Sequence, residues 1–220
     1  MPSYSIEPIV SAPFDQVCYV VWIEGRTDAV VVDPGFDTQP IISSLRRHQR
    51  ELAAILNTHG HIDHIAGNRA MKQAYPNAPL IIGSNEASLL EDADANLSAP
   101  FGLPLTSPPA DRLVSDGETL DIAGLRFLVR EIPGHSPGSV IFYCDQFDPP
   151  FVLGGDVVFA GSVGRTDLGG DFELLASGIR SKLFVLPGST VIHPGHGPTT
   201  TVAVEKHSNP YVGENARHSS

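Results

Sequence analysis

Three observations predict an α/β or α+β domain. Apolar, β-branched runs alternate with stretches of helical spacing, a strand–loop–helix–strand unit occupies residues 52–83, and turn formers are abundant, with 21 glycines and 19 prolines in 220 residues. A chain of this length can bury one substantial core, and its 41% hydrophobic and 18% charged content is ordinary for a globular protein. We therefore expect one domain over residues 1–207 and a loose tail over 208–220, where the sequence runs out through SNPYVGENARHSS.

The elements follow in order. VCYVVWI (17–23) and AVVVD (29–33) flank the turn EGRTD and read as a hairpin, closed by DPG. PIISSLRRHQREL (40–52) has helical spacing through Ile41, Leu45 and Leu52, and LAAILNTH (52–59) reads as a buried strand. HIAGNRAMKQAY (64–75) predicts a helix with Asp63 as its N-cap, and PLIIG (79–83) a further strand. ADANLSAPFGLPLTSPPADR (93–112) has no period and reads as a long surface loop, a rim or lid. LRFLVREI, SVIFYC, PFVLGGD and STVIHPG supply strands, with one helix, DFELLASGIRSKLF, between the last two.

Charge and composition exclude several functions. The formal charge of −11 argues against nucleic acid or an anionic membrane as partner. No apolar run approaches the roughly 20 residues of a membrane span. MPSYSIEPIVSAPFD lacks a basic segment followed by an apolar one, so a signal peptide is not expected. Cys18 and Cys144 lie in apolar stretches outside any CxxC pair and read as buried, reduced thiols. Together these features predict a cytoplasmic protein.

The chemistry is concentrated in NTHGHIDHIAG (57–67), which holds three of the nine histidines and an aspartate within six positions. In an extended segment His59 and His61 point to one side and can share an ion, while Asp63 and His64, where the chain turns into a helix, can face a neighbouring position. Three later strands each end in a further donor set among Gly and Pro: His135 in EIPGHSPGS, Asp156 in FVLGGDVVF and His196 in VIHPGHGPT. Donors at the carboxyl ends of strands follow the general rule for α/β sheets. His48, His193, His207 and His218 carry no such context and read as structural.

THGHIDH, PGHSPGS, GGDVVFAGSVGRTD and PGHGP occur in this order with VVDPG upstream, and over roughly residues 17–200 the chain resembles the metallo-β-lactamase fold superfamily. The resemblance implies an αβ/βα sandwich of two mixed sheets with helices outside. It also implies two metal ions, one held by His59, His61 and His135, the other by Asp63, His64 and His196, with Asp156 bridging them and Asp33 as a buried acid supporting the histidine loop. Nitrogen and oxygen donors without thiolate suit zinc and also accommodate iron or manganese.

FAGSVGRTDLGGD and the closing NPYV are similar to the short, single-domain hydroxyacylglutathione hydrolase (glyoxalase II) branch. That similarity implies a thioesterase whose substrate is S-lactoylglutathione or a related acylglutathione. The nucleophile would be a metal-bridging hydroxide, formed because the ions lower the pKa of their water towards about 7. Asp63 would orient it, and Arg165, in GRTD, would meet an anionic substrate unless it pairs with Asp167 or Asp171. The alternatives are a mononuclear-iron persulfide dioxygenase acting on glutathione persulfide, which shares the GRTD wording, and a lactone or ester hydrolase.

Overall fold

Two six-stranded mixed sheets pack face to face, with helices on their outer faces, in the computed structural model, which describes residues 3–216. The first sheet contains β1 (Tyr4–Ser11), β2 (Gln16–Ile23), β3 (Asp28–Val32), β4 (Glu51–Leu56), β5 (Leu80–Gly83) and β6 (Arg112–Val114), paired in chain order. β1 to β3 pair antiparallel and β3 to β6 parallel. The second sheet contains β7 (Thr119–Ile122), β8 (Leu125–Glu131), β9 (Val140–Cys144) and β10 (Phe151–Gly155). After a small hairpin, β11 (Val158–Phe159) and β12 (Ser162–Val163), it is completed by β13 (Val191–Pro194) and β14 (Thr200–Thr201). Its order is β14-β13-β10-β9-β8-β7, and only the β10–β13 pair is parallel.

The apolar pattern explains the layering. β2 is buried at all eight positions because both of its faces are covered, which is why its sequence does not alternate. Tyr19 and Val21 join Leu56, Phe127, Phe142 and Phe151 between the sheets. Cys18, Val20 and Trp22 face the opposite way, against Ile41 and Leu45 of helix α1 (Thr38–Arg47) and against Ile65 and Met71. Behind the second sheet, Ile141, Val152 and Ile192 pack on Leu175 of α4 (Phe172–Gly178), on Ile179 and Leu183, and on Val202 of α5 (Val202–Ser208). Both cysteines are buried and unpaired, as expected. Among the described residues no helix is long and apolar enough to cross a membrane.

Several elements differ from the sequence reading. The helix expected to reach residue 52 stops at Arg47, because Gln49 turns into the left-handed region (φ 54°) and Arg50 N–H donates back to Leu45 O at 2.8 Å. The helix expected over 64–75 is two short ones, α2 (Ile62–Ile65) and α3 (Asn68–Ala74). They break at Gly67, whose N–H donates to Pro34 O at 2.8 Å and whose missing Cβ would lie 2.7 Å from that oxygen. Asp63 is therefore not an N-cap: it lies in the first turn of α2, and His61 occupies the cap.

The 93–112 segment is not wholly a surface loop, since Asn96 and Ser98 are completely buried. Ser98 and the Asn96 amide bond Leu105 O, and Asn96 O accepts from Ile62 N–H at 2.9 Å, which ties the segment to the start of α2. Nor is the chain loose from 208 onwards. The Asn209 amide donates to Ser162 O at 2.9 Å and to Glu205 at 2.8 Å, and Val212 is buried in the third apolar cluster. These contacts hold the chain down to Val212. Residues 217–220 of the expected tail, with His218, lie outside the described residues.

Candidate metal centre

Strand ends bring the donors together. His59 and His61 follow β4, His135 follows β8, Asp156 follows β10 and His196 follows β13. Parallel pairing of β3 with β4 and of β10 with β13 aims these carboxyl ends at one edge of the sandwich. The close approach needs glycine at two points. Gly155 takes φ 49° directly over the Thr58 side chain, and at Gly195 a Cβ would sit 2.6 Å from His64 Cε1 and collide with Asp156 Oδ1.

Three groups of donor atoms form, each with its atoms mutually within 4.8 Å: His59–His61–His135, His59–His64–Asp156 and Asp63–His64–His196. His61 Nδ1 and His59 Nε2 lie 3.0 and 3.3 Å from His135 Nε2. Asp63 Oδ2 lies 3.1 Å from His196 Nε2 and 3.7 Å from His64 Nε2. Asp156 faces both the first and the third of these groups, the two donor sets, with Oδ1 3.3 Å from His64 Nε2 and Oδ2 3.6 Å from both His135 Nε2 and His196 Nε2.

The surrounding hydrogen bonds assign the ring protons. His135 Nδ1 lies 2.8 Å from Arg165 O, an acceptor only, so it donates there and leaves Nε2 as a bare lone pair. Thr58 Oγ1 donates to Asp33 Oδ2 at 2.6 Å and accepts from His59 Nδ1 at 3.1 Å, which bares His59 Nε2 in the same way. His64 Nδ1 donates to the same Asp33 oxygen at 3.0 Å. One buried carboxylate thus orients a histidine in each set, in the manner of acids that support metal ligands. The bare nitrogens of His59 and His135 that converge in the first group repel unless a cation lies between them. His64 Nε2 and Asp156 Oδ1 are buried without a hydrogen-bond partner. The donor set therefore fits divalent metal.

The pKa values of His59 and His61 and those of His64 and His196 move in opposite directions. Burial and the neighbouring rings push His59 well below the ordinary histidine pKa, and burial beside the His135 ring takes His61 down to about 3. Burial also opposes charge on His64, but Asp156, Asp63 and Asp33 outweigh it and raise its pKa well above the ordinary value. His196 is likewise raised, its burial overcome by Asp63 and Asp156. Asp63 and Asp156 stay ionised against their own burial because His64 faces both.

Arg165 stands at the rim of the site and makes a two-pronged ion pair with Asp167, both contacts at 2.8 Å. Asp171 instead caps α4, accepting from Leu174 N–H at 3.0 Å. His193 stays outside the cluster, edge-on to Tyr19 and Phe151 in the core. Of the remaining histidines read as structural, His48 packs on Trp22 and His207 is exposed near Glu214.

The sequence reading missed Glu86, which is completely buried in a 3₁₀ turn over Ser84–Leu90. Its Oε2 accepts from Gly60 N–H at 2.7 Å, between His59 and His61, and its Oε1 accepts from Ser136 Oγ at 2.8 Å and Gly138 N–H at 2.5 Å, beside His135. It joins the two loops that supply the first histidine set. A single acid after a strand has no spacing pattern that would mark it.

The site opens into a cavity of about 290 Å³. His61, Asp63, His135, Asp156 and His196 face it, while His59 and His64 are sealed behind. Phe14, Ile62, Leu97 and Phe101, with Phe159, Val163 and Leu168, supply its apolar lining.

The metallo-beta-lactamase superfamily profile matches residues 12–203. Hydroxyacylglutathione hydrolase GloC of Haemophilus influenzae is 35% identical over 212 residues, covering 94% of this chain and 98% of that protein. Among solved structures, the BLEG-1 B3 metallo-beta-lactamase superposes with TM-score 0.89 at 38% identity, covering 94% of this chain and 99% of the other. TTHA1623 in a di-iron-bound form superposes with TM-score 0.82 at 34% identity, covering 93% and 99%.

Proposed function

This chain belongs to the metallo-beta-lactamase superfamily, and from that premise we propose that it is a binuclear-metal hydrolase of small thioesters, with acylglutathiones as the reference substrates. The observation that carries the reading is the convergence of seven N and O donors into two adjoining sets faced by one carboxylate, at the floor of an open cavity. Similarity to GloC supports the thioester. His59, His61 and His135 would hold one ion, Asp63, His64 and His196 the other, with Asp156 between them. The donor types suit zinc, and the di-iron relative keeps iron in view. When bound, the ions supply an activated water and a Lewis acid for the carbonyl.

The chain's own residues do the rest. Asp63, ionised and open to the cavity, accepts a hydrogen bond from the attacking water and so aims it at the carbonyl carbon. Hydrolysis adds the water oxygen to that carbon and breaks the C–S bond, releasing a carboxylate and a thiol. Asp33 and Arg165 O hold the rings of His64 and His135 in place by their second nitrogens. We place the protein in the cytoplasm.

The test is thioester loss and thiol release from S-lactoylglutathione by metal-loaded protein, with His61→Ala as the control. Turnover that vanishes in the variant supports the reading. No turnover of any acylglutathione by protein holding two metals per chain refutes it. Similarity to the BLEG-1 lactamase favours one second reading, opening of a β-lactam ring by the same site, and a chromogenic cephalosporin assayed in parallel separates the two.

A further inference from the structure

Apart from the metal-facing donors, the cavity is lined by apolar side chains and, among the described residues, by a single cation, Arg165. That cation pairs with Asp167 through two nitrogens at 2.8 Å. A charged or hydroxylated group seated against the apolar walls would lose its hydration and gain no partner from them, which is unfavourable. The cavity is also small. At about 290 Å³ it sits at the bottom of the range of about 300–1,000 Å³ that accommodates drug-sized ligands, so it takes the reacting end of a substrate and leaves a long polar limb outside.

The walls are built features of the fold. Leu97 and Phe101 come from the segment anchored by buried Asn96 and Ser98, and Leu97 is held at φ 68°, a conformation a β-carbon disfavours. Phe14 comes from the β1–β2 connection and meets Phe101 edge-on at 5.7 Å and Phe36 in a stack at 5.8 Å. Phe159 crosses His196 edge-on at 5.9 Å, which brings the facing wall up to the donor set. Phe101 and Leu168 are 49% and 41% exposed, a large apolar area left uncovered beside reacting groups.

We infer that the acyl group of the substrate is apolar, a short aliphatic or aryl chain seated between Phe14, Leu97 and Phe101 on one side and Phe159, Val163 and Leu168 on the other, while the carrier thiol extends past Arg165 into solvent. This rests on the thioester reading and narrows it: hydroxyacyl groups such as lactoyl are the poorer substrates. Apolar burial in such a pocket discriminates by about tenfold or more per group gained.

The experiment compares hexanoyl- and lactoylglutathione, which share a carrier, with metal-loaded wild type, Phe101→Ala and Leu168→Ala. The expected result is a kcat/KM at least about tenfold higher for hexanoyl. That advantage shrinks severalfold in either variant, through KM. Equal or better hydrolysis of the lactoyl ester, or an equal loss for both esters in the variants, overturns the inference. Binding of hexanoate against acetate, measured by calorimetry on the same proteins, separates the two levels. If neither thioester is cleaved but hexanoate binds tighter and Phe101→Ala abolishes the difference, the thioester reading falls and the apolar acyl site stands. Equal binding of the two acids overturns the acyl site itself.

Discussion

Replacing Glu86 by glutamine keeps the shape of the buried side chain and removes one of its two acceptor oxygens. The remaining carbonyl can serve Ser136 Oγ and Gly138 N–H, which sets an amide NH₂ against Gly60 N–H, or it can serve Gly60 and oppose Gly138. Either choice strands a buried N–H, at about 1–3 kcal/mol. Gly60 lies between His59 and His61, and Gly138 lies three residues from His135, so the displacement enters the first donor set directly. Lost support of this kind lowers metal affinity by about 10–100-fold.

The metal-free fold should suffer less. Burial raises the Glu86 pKa against its three donors, so the native state holds that proton longer than the unfolded chain does. The group's contribution to stability then falls as the pH rises from the ordinary glutamate value to the raised folded one, and glutamine escapes that loss. Competition against a chelator near neutral pH, with Tm of the metal-free protein alongside, reads both effects. The expected outcome is one weakened site per chain, one unchanged site and a small shift in Tm. Unchanged affinity at both sites with a large drop in Tm would refute the strut and leave Glu86 an element of the fold alone.

Three further outcomes follow from the same geometry. Asp33→Asn turns an NH₂ towards Thr58 Oγ1 and His64 Nδ1, forcing His64 to carry its proton on Nε2; metal titration should show the Asp63–His64–His196 set weakened by about 10–100-fold. Asp63→Ala should lower kcat by about 10²-fold or more with KM little changed, and steady-state kinetics showing an unaltered kcat would remove its orienting role. Loading should also depend on pH unequally. His64 and His196, with raised pKa values, must shed protons to bind metal, whereas His59 and His61, with lowered ones, are bare throughout the neutral range. As the pH falls from about 8 towards about 5, the second set should lose metal first, with protons released on reloading. Metal content that drops at both sets together would contradict this asymmetry.

The donors were readable in the sequence because each lies in a short block at a strand end, where Gly and Pro let the backbone approach an ion closely, as in PGHSPGS and PGHGP. His59, His61, Asp63 and His64 needed only local spacing, and the buried strands needed only β-branched runs, since a sheet covered on both faces demands nothing subtler. Asp33 was legible through VVDPG and its family resemblance.

Tertiary structure alone decided the rest. Gly67 breaks the expected helix because Pro34, 33 residues earlier, takes its N–H. Gln49 stops α1 in a left-handed turn of the kind a glycine would have announced. Glu86 matters because it reaches Gly60 and Gly138, 26 and 52 residues away, and the apolar walls depend on distant segments of the chain meeting at one opening. Which residues carry donor atoms at the strand ends is a local property of residue type and turn, so the sequence by itself determines it. The partners that satisfy a buried acid, and the side chains that share a cavity, are set by contacts between distant segments, and those come into being only when the two sheets close on each other.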